Sequence, residues 1–513
     1  MPAPDPGLSG GGRFERRVRT AGLIAGPLAA TLVYLLNPGG HPPEARRLLA
    51  ILAFTVVFWM TEAIPLPATA LLSSSLAIVL GVAPAREVLQ PYAAPIIFLF
   101  LGTFLLAEAF RKFALDRRVA ALLLGQGRQA GRFARSGFGR ILGLGGATAA
   151  ISLWISNTAA AALMTPIGLS LGREGEESPD RPPQGEPRPG MTALLLMVAY
   201  GATIGGMATL VGTPPNLLAA GFLDTMCGVQ VGFVGWLLFG VPIALVLFVV
   251  SIVWTWLVLG RRGAAGSPAG GAPQGNASSS RDETPAWRRA GARVTLAALG
   301  LAVLLWFLPS LARVVYGPNS AAAEAFAARL PEAGVALFCA TLLFVAPIEW
   351  RRRRFALTWQ EGAQINWGIL MLFGGGLSLG TLAQSTGVAR WVGEGLSSFG
   401  LARSGPGLLF CAVALAIVVS EFASNTASGT LLVPMVIAAA EASGLDPVRP
   451  AIGVGLAATC GFVFPVSTPP NAIVFGTGQV PLRRMIEVGI LLDVTALVVI
   501  WGGLMLLAPL LPR

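Results

Sequence analysis

Two short polar clusters stand inside apolar sequence, and each occurs twice. Ser156-Asn157-Thr158 and Ser424-Asn425-Thr426 are each followed by a proline, Pro166 and Pro434, at the same distance. Gly212-Thr213-Pro214-Pro215-Asn216 recurs as Ser467-Thr468-Pro469-Pro470-Asn471. A Pro-Pro pair removes two successive amide donors and breaks a helix, which frees upstream carbonyls and starts a new half-helix. Carbonyl and hydroxyl oxygens suit a small hard cation, whereas amide N–H groups and a helix N-terminus suit an anion. Ser-Asn-Thr offers short donors and acceptors and can cap the helix that follows. One helical turn upstream of the motifs, Ser152 and Ser420 are placed to add a hydroxyl to each cation site. No Arg or Lys lies within 141–171, 191–224 or 405–440 to neutralise an anion. Helix dipoles and bound cations must therefore do so.

Taken singly, Ser-Asn-Thr is an ordinary helix cap and Pro-Pro an ordinary loop. Duplication in the same order changes that reading. The offsets are 268 for the first motif (156 to 424) and 255 for the second (213 to 468), and an insert at 173–190 accounts for the difference. Gly102 with Arg118 recurs as Gly374 with Arg390, at an offset of 272.

The elements that must position these clusters are membrane helices. The chain has 513 residues, 54% hydrophobic and 12% charged, with a mean hydropathy of +0.70. Too little polar surface exists to coat a water-soluble particle of this size. Apolar runs lie near 21–37, 48–64, 67–83, 95–110, 191–224, 232–260, 294–315, 333–349, 366–384, 447–478 and 485–510. Two more, 141–171 and 405–440, carry the Ser-Asn-Thr clusters at their middles and read as re-entrant hairpins, since irregular backbone at membrane depth must line protein or a water-filled cavity. Arg-rich segments are the N-terminus, 111–140, 261–293, Arg351 to Arg354, and Arg483–Arg484. With these in the cytoplasm, eleven full spans result, and the two hairpins open to opposite sides. The fold class is an all-α polytopic membrane protein with about 11 transmembrane helices plus two re-entrant hairpins in two inverted repeats. Such broken, inverted repeats are a transporter architecture with the site near the midplane. The division is 1–45, N-terminus and first span; 46–262, repeat one, with hairpin 141–171 and broken helix 191–224; 263–293, a cytoplasmic linker; and 294–513, repeat two, with hairpin 405–440 and broken helix 447–478. An uncleaved first span with a cytoplasmic N-terminus is expected, in the inner (plasma) membrane. The stretch 111–140 reads as an amphipathic surface helix, and 173–190 as a solvated loop without a functional account.

Other chemistries are disfavoured. The net charge of +11 comes almost wholly from Arg in loops, which fits membrane topology and not nucleic-acid binding. Cys227, Cys339, Cys411 and Cys460 are scattered, and His41 is the single histidine, so neither a metal cluster nor a nucleophile–base pair for an intramembrane enzyme is visible. Four acids fall in apolar runs, where charge is costly. Glu62, beside Pro65 and Pro67, reads as a bend or helix end; Glu108, as a partner of Arg111 and Lys112. For Glu421, tuning of the cation site and pairing with a scaffold residue both stay open. Asp493 is expected to be functional or paired.

The doubled motifs, with Trp59-Met60-Thr61-Glu62-Ala63 and Pro469-Pro470-Asn471-Ala472-Ile473-Val474-Phe475-Gly476, resemble the divalent anion:sodium symporter family from about residue 46 onward. The resemblance implies an elevator-type homodimer, not an enzyme, coupling Na+ to uptake of C4-dicarboxylates such as succinate, malate and fumarate. The alternative on the same fold is a proton-coupled or exchange-type carrier for citrate or sulfate. By matching positions, one sodium site would take Ser152, Ser156, Asn157 and Gly212, and the other Ser420, Ala423, Asn425 and Ser467. Substrate carboxylates would meet Ser156, Asn157, Thr158, Ser424, Asn425 and Thr426, with Thr213, Pro214, Thr468 and Pro469 nearby. Ser467 departs from a family position that is small and often Ala; it should be tolerated there, because its carbonyl is the implied ligand.

Overall fold

A computed structural model describes residues 10–37, 40–123, 136–173, 188–260, 286–317, 320–397 and 403–511. Helices carry almost all of them. Among the described residues, eight helices are long and apolar enough to cross a membrane, or nine if the bent pair Ala321–Arg329 and Glu332–Val345 is one span. The eight include Gly405–Phe422, the first arm of a hairpin. Three expected spans fall short of that measure. Pro43–Thr61 carries Glu44, Arg46 and Arg47 near its start, Leu66–Val79 has 14 residues, and Val448–Ala457 stops after 10 because its run is broken. Helices thus stand at all eleven expected places.

Side chains on the perimeter identify the solvent. Leu245, Val246, Val249 and Val253 are exposed on Phe233–Thr255, as are Leu304, Phe307 and Leu311 on Ala286–Tyr316. Rows of exposed apolar side chains on helices this long fit hydrocarbon. The latter helix begins at Ala286, inside the stretch expected as linker, because its apolar run continues a basic first segment without a break. The rest of that linker (261–285), most of the 173–190 insert (174–187) and part of the amphipathic stretch (124–135) lie outside the described residues; Leu115–Leu123 is helical.

Close packing centres on Pro189–Ala208, which is buried from Met191 to Ala208. Its neighbour is Gly137–Ser152, and the contact is made by small residues one turn apart: Gly145 and Ala149 on one helix, Gly201 and Gly205 on the other. A Cβ on Gly205 would lie 2.3 Å from Ala149 O, so only glycine lets the backbones approach this closely. In lipid, where apolar burial between helices gains little, such contacts are a main source of association.

The acids outside the site follow the expected structural roles. Glu62 ends Pro43–Thr61 in the left-handed region (φ 45°), with its carboxylate 3.5 Å from Arg19. Glu108 takes Arg111 Nε at 3.1 Å, but Lys112 turns away to Glu361 at 2.7 Å and Ala356 O at 3.0 Å.

Candidate functional site

Both Ser-Asn-Thr clusters sit at the turn of a helical hairpin. Gly137–Ser152 leads through residues 153–156 to Asn157–Arg173, and Gly405–Phe422 leads through Ala423 and Ser424 to Asn425–Ala442. Ser156 Oγ accepts from Ala159 N at 3.3 Å as a cap, whereas Ser424 makes no side-chain cap bond. Both Pro-Pro pairs begin helices, Pro214–Cys227 and Pro469–Gly476, after extended Thr213 and Thr468. The broken runs are therefore Pro189–Ala208 with Pro214–Cys227, and Val448–Ala457 with Pro469–Gly476.

The serine hydroxyl bonds of the two sites match. Ser152 Oγ lies 2.6 Å from Ala202 O and 2.9 Å from Asn157 Oδ1. Ser420 Oγ lies 2.7 Å from Ala458 O and 2.9 Å from Asn425 Oδ1. In each case one hydroxyl proton faces two acceptor oxygens, so one of the two is left without that donor. Asn425 Nδ2 donates to Thr459 O at 3.2 Å, which fixes the orientation of its amide. These donors are hard oxygens only, and they fit a sodium ion bound by hydroxyl, amide and backbone oxygens.

Beneath each oxygen cluster a buried asparagine ties down the unwound backbone. Asn216 Nδ2 donates to Gly206 O at 3.1 Å and Thr209 O at 2.8 Å. Asn471 Nδ2 donates to Gly461 O at 2.8 Å and Phe464 O at 3.0 Å, the positions 255 residues on. Asn216 and Asn471 were visible as the last residue of each motif, yet nothing in the sequence indicated that their amides reach back across the break. Gly206 lies so close to Asn157 that a Cβ there would stand 2.1 Å from Oδ1. At this position glycine is required to make room for the amide.

Burial sorts the sequence-derived residues into three tiers. Ser152, Ser420, Gly212, Thr213, Ala423, Ser467 and Thr468 are buried; Asn157, Asn425, Ser424, Thr426 and Pro214 are partly buried; Ser156, Thr158 and Pro469 are exposed. The oxygen clusters thus lie under tips that reach an open surface. The halves also interlock. Pro214–Cys227 packs on the arm Asn425–Ala442, and Pro469–Gly476 packs on the arm Asn157–Arg173, so each half-helix supports the other half's hairpin. Tyr200 Oη donates to Phe462 O at 3.3 Å, joining the two broken runs directly.

The second site also carries a buried acid. Glu421, almost fully buried, accepts from Val463 N at 3.0 Å, Phe464 N at 3.1 Å and Ser467 Oγ at 2.5 Å. It thus lies against the second oxygen cluster and beside Asp493 of Leu482–Leu506. Ser467 is accommodated because its hydroxyl finds this acceptor.

A profile of the family described as "Sodium:sulfate symporter transmembrane region" matches residues 19–509. A protein of Staphylococcus saprophyticus named sodium-dependent dicarboxylate transporter SdcS is 32% identical over 490 residues, which cover 93% of this chain and 89% of that one. The protein of the same name from Staphylococcus aureus is 32% identical over 486 residues, with the same coverage. Among solved structures, the YdaH transporter of Alcanivorax borkumensis superposes with a TM-score of 0.54 over 82% of this chain and 86% of that one, at 16% identity. That likeness concerns the fold alone.

Proposed function

Because the chain belongs to the sodium:sulfate symporter family, we propose that it is a secondary transporter that couples Na+ to the uptake of a C4-dicarboxylate. The observation that carries this reading is the pair of buried oxygen clusters, each with two acceptors facing one serine proton. The dicarboxylate assignment takes its support from the SdcS relatives and their names. The family description names sulfate, which makes sulfate the competing cargo.

In this reading Ser152, Ser156, Asn157 and Gly212 hold one sodium ion, and Ser420, Ala423, Asn425 and Ser467 hold the other. The anion meets Ser156, Asn157, Thr158, Ser424, Asn425 and Thr426, with Thr213, Pro214, Thr468 and Pro469 at the half-helix starts. Two helix N-termini then point toward it. The interlocked hairpins and half-helices move as one body against the remaining helices, as an elevator, within a homodimer. Purified protein in proteoliposomes should accumulate labelled succinate, malate and fumarate under an inward sodium gradient. Replacement of sodium by choline should abolish the signal. Sulfate accumulation without succinate accumulation would reassign the cargo, and uptake indifferent to sodium would reject the coupling.

The two halves are inverted copies, with the N-terminus in the cytoplasm. Support comes from loop charge, heavy before the first hairpin and light before the second. Gly137→Cys and Ser404→Cys, each in a background lacking the four native cysteines, are expected to react with an impermeant thiol reagent from opposite sides of the membrane. Reaction of both from one side would disprove the inversion.

A further inference from the structure

The apolar row on Ala286–Tyr316 runs into positive charge at one end. Leu296, Gly300, Leu304, Phe307 and Leu311 are exposed and recur at steps of three and four, so they share one stripe of the helix. Arg293 and Arg289 continue that stripe toward the helix start, and both are exposed. At about 1.5 Å per residue, the exposed row from Leu296 to Val315 covers about 28 Å, close to the thickness of bilayer hydrocarbon. Arg293 and Arg289 then lie roughly 5 and 10 Å beyond its edge, at headgroup depth. A second element brings more charge to the same corner. Glu332–Val345 packs alongside Ala286–Tyr316 and leads into an antiparallel β-hairpin, Pro347–Glu349 with Arg354–Phe355, whose first strand rests on Ala286–Tyr316. Arg354 stands over the Trp287 ring at 5.2 Å and Arg288 at 5.6 Å, which pins the β-hairpin to the helix start. Its turn presents Trp350, 79% exposed, with Arg351 to Arg353 exposed beside it. Glu349 takes Arg352 at 3.3 Å and Arg354 at 3.6 Å. Among the described residues, Arg289, Arg293, Arg351 and Arg353 form no ion pair.

We propose that this corner, between the start of Ala286–Tyr316 and the turn of the β-hairpin, holds the headgroup of an anionic phospholipid, with its acyl chains lying along Leu296, Leu304 and Phe307. The inference goes beyond the transport reading and does not depend on it. Charge selects the occupant. Four guanidinium groups without a carboxylate meet a phosphodiester, whose oxygens fit the planar fork of arginine. Arginine stems lie along apolar surface while their heads reach the phosphate, and an exposed Trp is at home at headgroup level. A free anion would satisfy the guanidinium groups alone, whereas basic pair and apolar row in one stripe fit a molecule that has both parts. A second copy of this chain, related by a two-fold axis through the corner, would set like charge against like.

Native mass spectrometry of the purified protein in detergent, titrated with phosphatidylglycerol and separately with phosphatidylcholine, tests the site. The parental protein should retain phosphatidylglycerol in preference, by at least about fivefold, which is what one basic residue at an anionic surface is worth. Arg289→Gln or Arg293→Gln alone should lower the preference, by up to about fivefold. Both together with Arg351→Gln and Arg353→Gln should bring the two lipids level. Arg289→Lys with Arg293→Lys keeps the charge without the fork and should keep part of the preference. Arg483→Gln, at an exposed arginine that Glu487 already pairs, should leave it unchanged. Should the fourfold variant fail to fold, the single substitutions decide. Equal retention of the two lipids by the parental protein would overturn the proposal, as would a parental preference in every glutamine variant. Displacement of bound phosphatidylglycerol by excess inorganic phosphate would also overturn it, in favour of a free anion. A fourfold variant that changes its oligomeric state on gel filtration while its lipid preference stays parental would do the same, in favour of a second copy.

Discussion

Uptake should fall to background when Asn157 or Asn425 is replaced by Ala, while yield and the gel-filtration profile should stay parental. Each asparagine supplies an oxygen to a buried cluster from its Oδ1 and stands at a hairpin tip that reaches the open surface. Its removal strikes the cation and the anion together. The fold should survive, because the serine hydroxyl keeps its other acceptor, Ala202 O or Ala458 O, and the hairpin arms retain their packing. Loss of one hydrogen-bonding group to a charged ligand costs roughly 1.5–3 kcal/mol, about 10-fold to 150-fold in affinity. Two linked ligands multiply that loss. Near-parental uptake in both variants would refute the site, whereas failure of one alone would show that the copies are unequal in function.

Much of this arrangement was legible in the chain, for a physical reason. Membrane helices are written in long apolar runs, and a polar cluster inside such a run is too costly to stand there without purpose. Repetition then supplied the pairing: Ser152 with Ser420, Asn157 with Asn425, Thr213 with Thr468. What remained hidden were interactions across the break. The amides of Asn216 and Asn471 reach back to carbonyls in the unwound backbone, a distance that no helical period describes. Glu421 was legible as an anomaly, but its donors lie more than forty residues on, in a segment without regular periodicity. The exchange of supports, each half-helix packed on the other half's hairpin, is equally invisible locally. Span counting met a different limit. A run such as 447–478 is apolar throughout, yet it holds two short helices, because the prolines act on the backbone and not on hydropathy.

Sodium should tighten succinate binding, and succinate should tighten sodium binding by the same factor. The expectation follows from charge. Two carboxylates bring about two negative charges to tips where no Arg or Lys stands, and two helix N-termini return only about half a charge each. Roughly one negative charge remains, and cations bound beneath the tips would more than offset it. Because the linkage is between binding equilibria, it must be reciprocal. A coupling of 1–3 kcal/mol, about fivefold to 150-fold, is expected in titrations of succinate at zero and at saturating sodium, with choline holding ionic strength constant. Ser152→Ala and Ser420→Ala each remove the hydroxyl that faces two oxygens. Both should reduce the sodium dependence before they alter the ranking of succinate, malate and fumarate, since neither hydroxyl reaches the exposed tips. Equal succinate affinity with and without sodium would reject sodium as the coupling ion and favour proton coupling or exchange. Unequal factors in the two directions would mean that the titrations do not report one shared equilibrium.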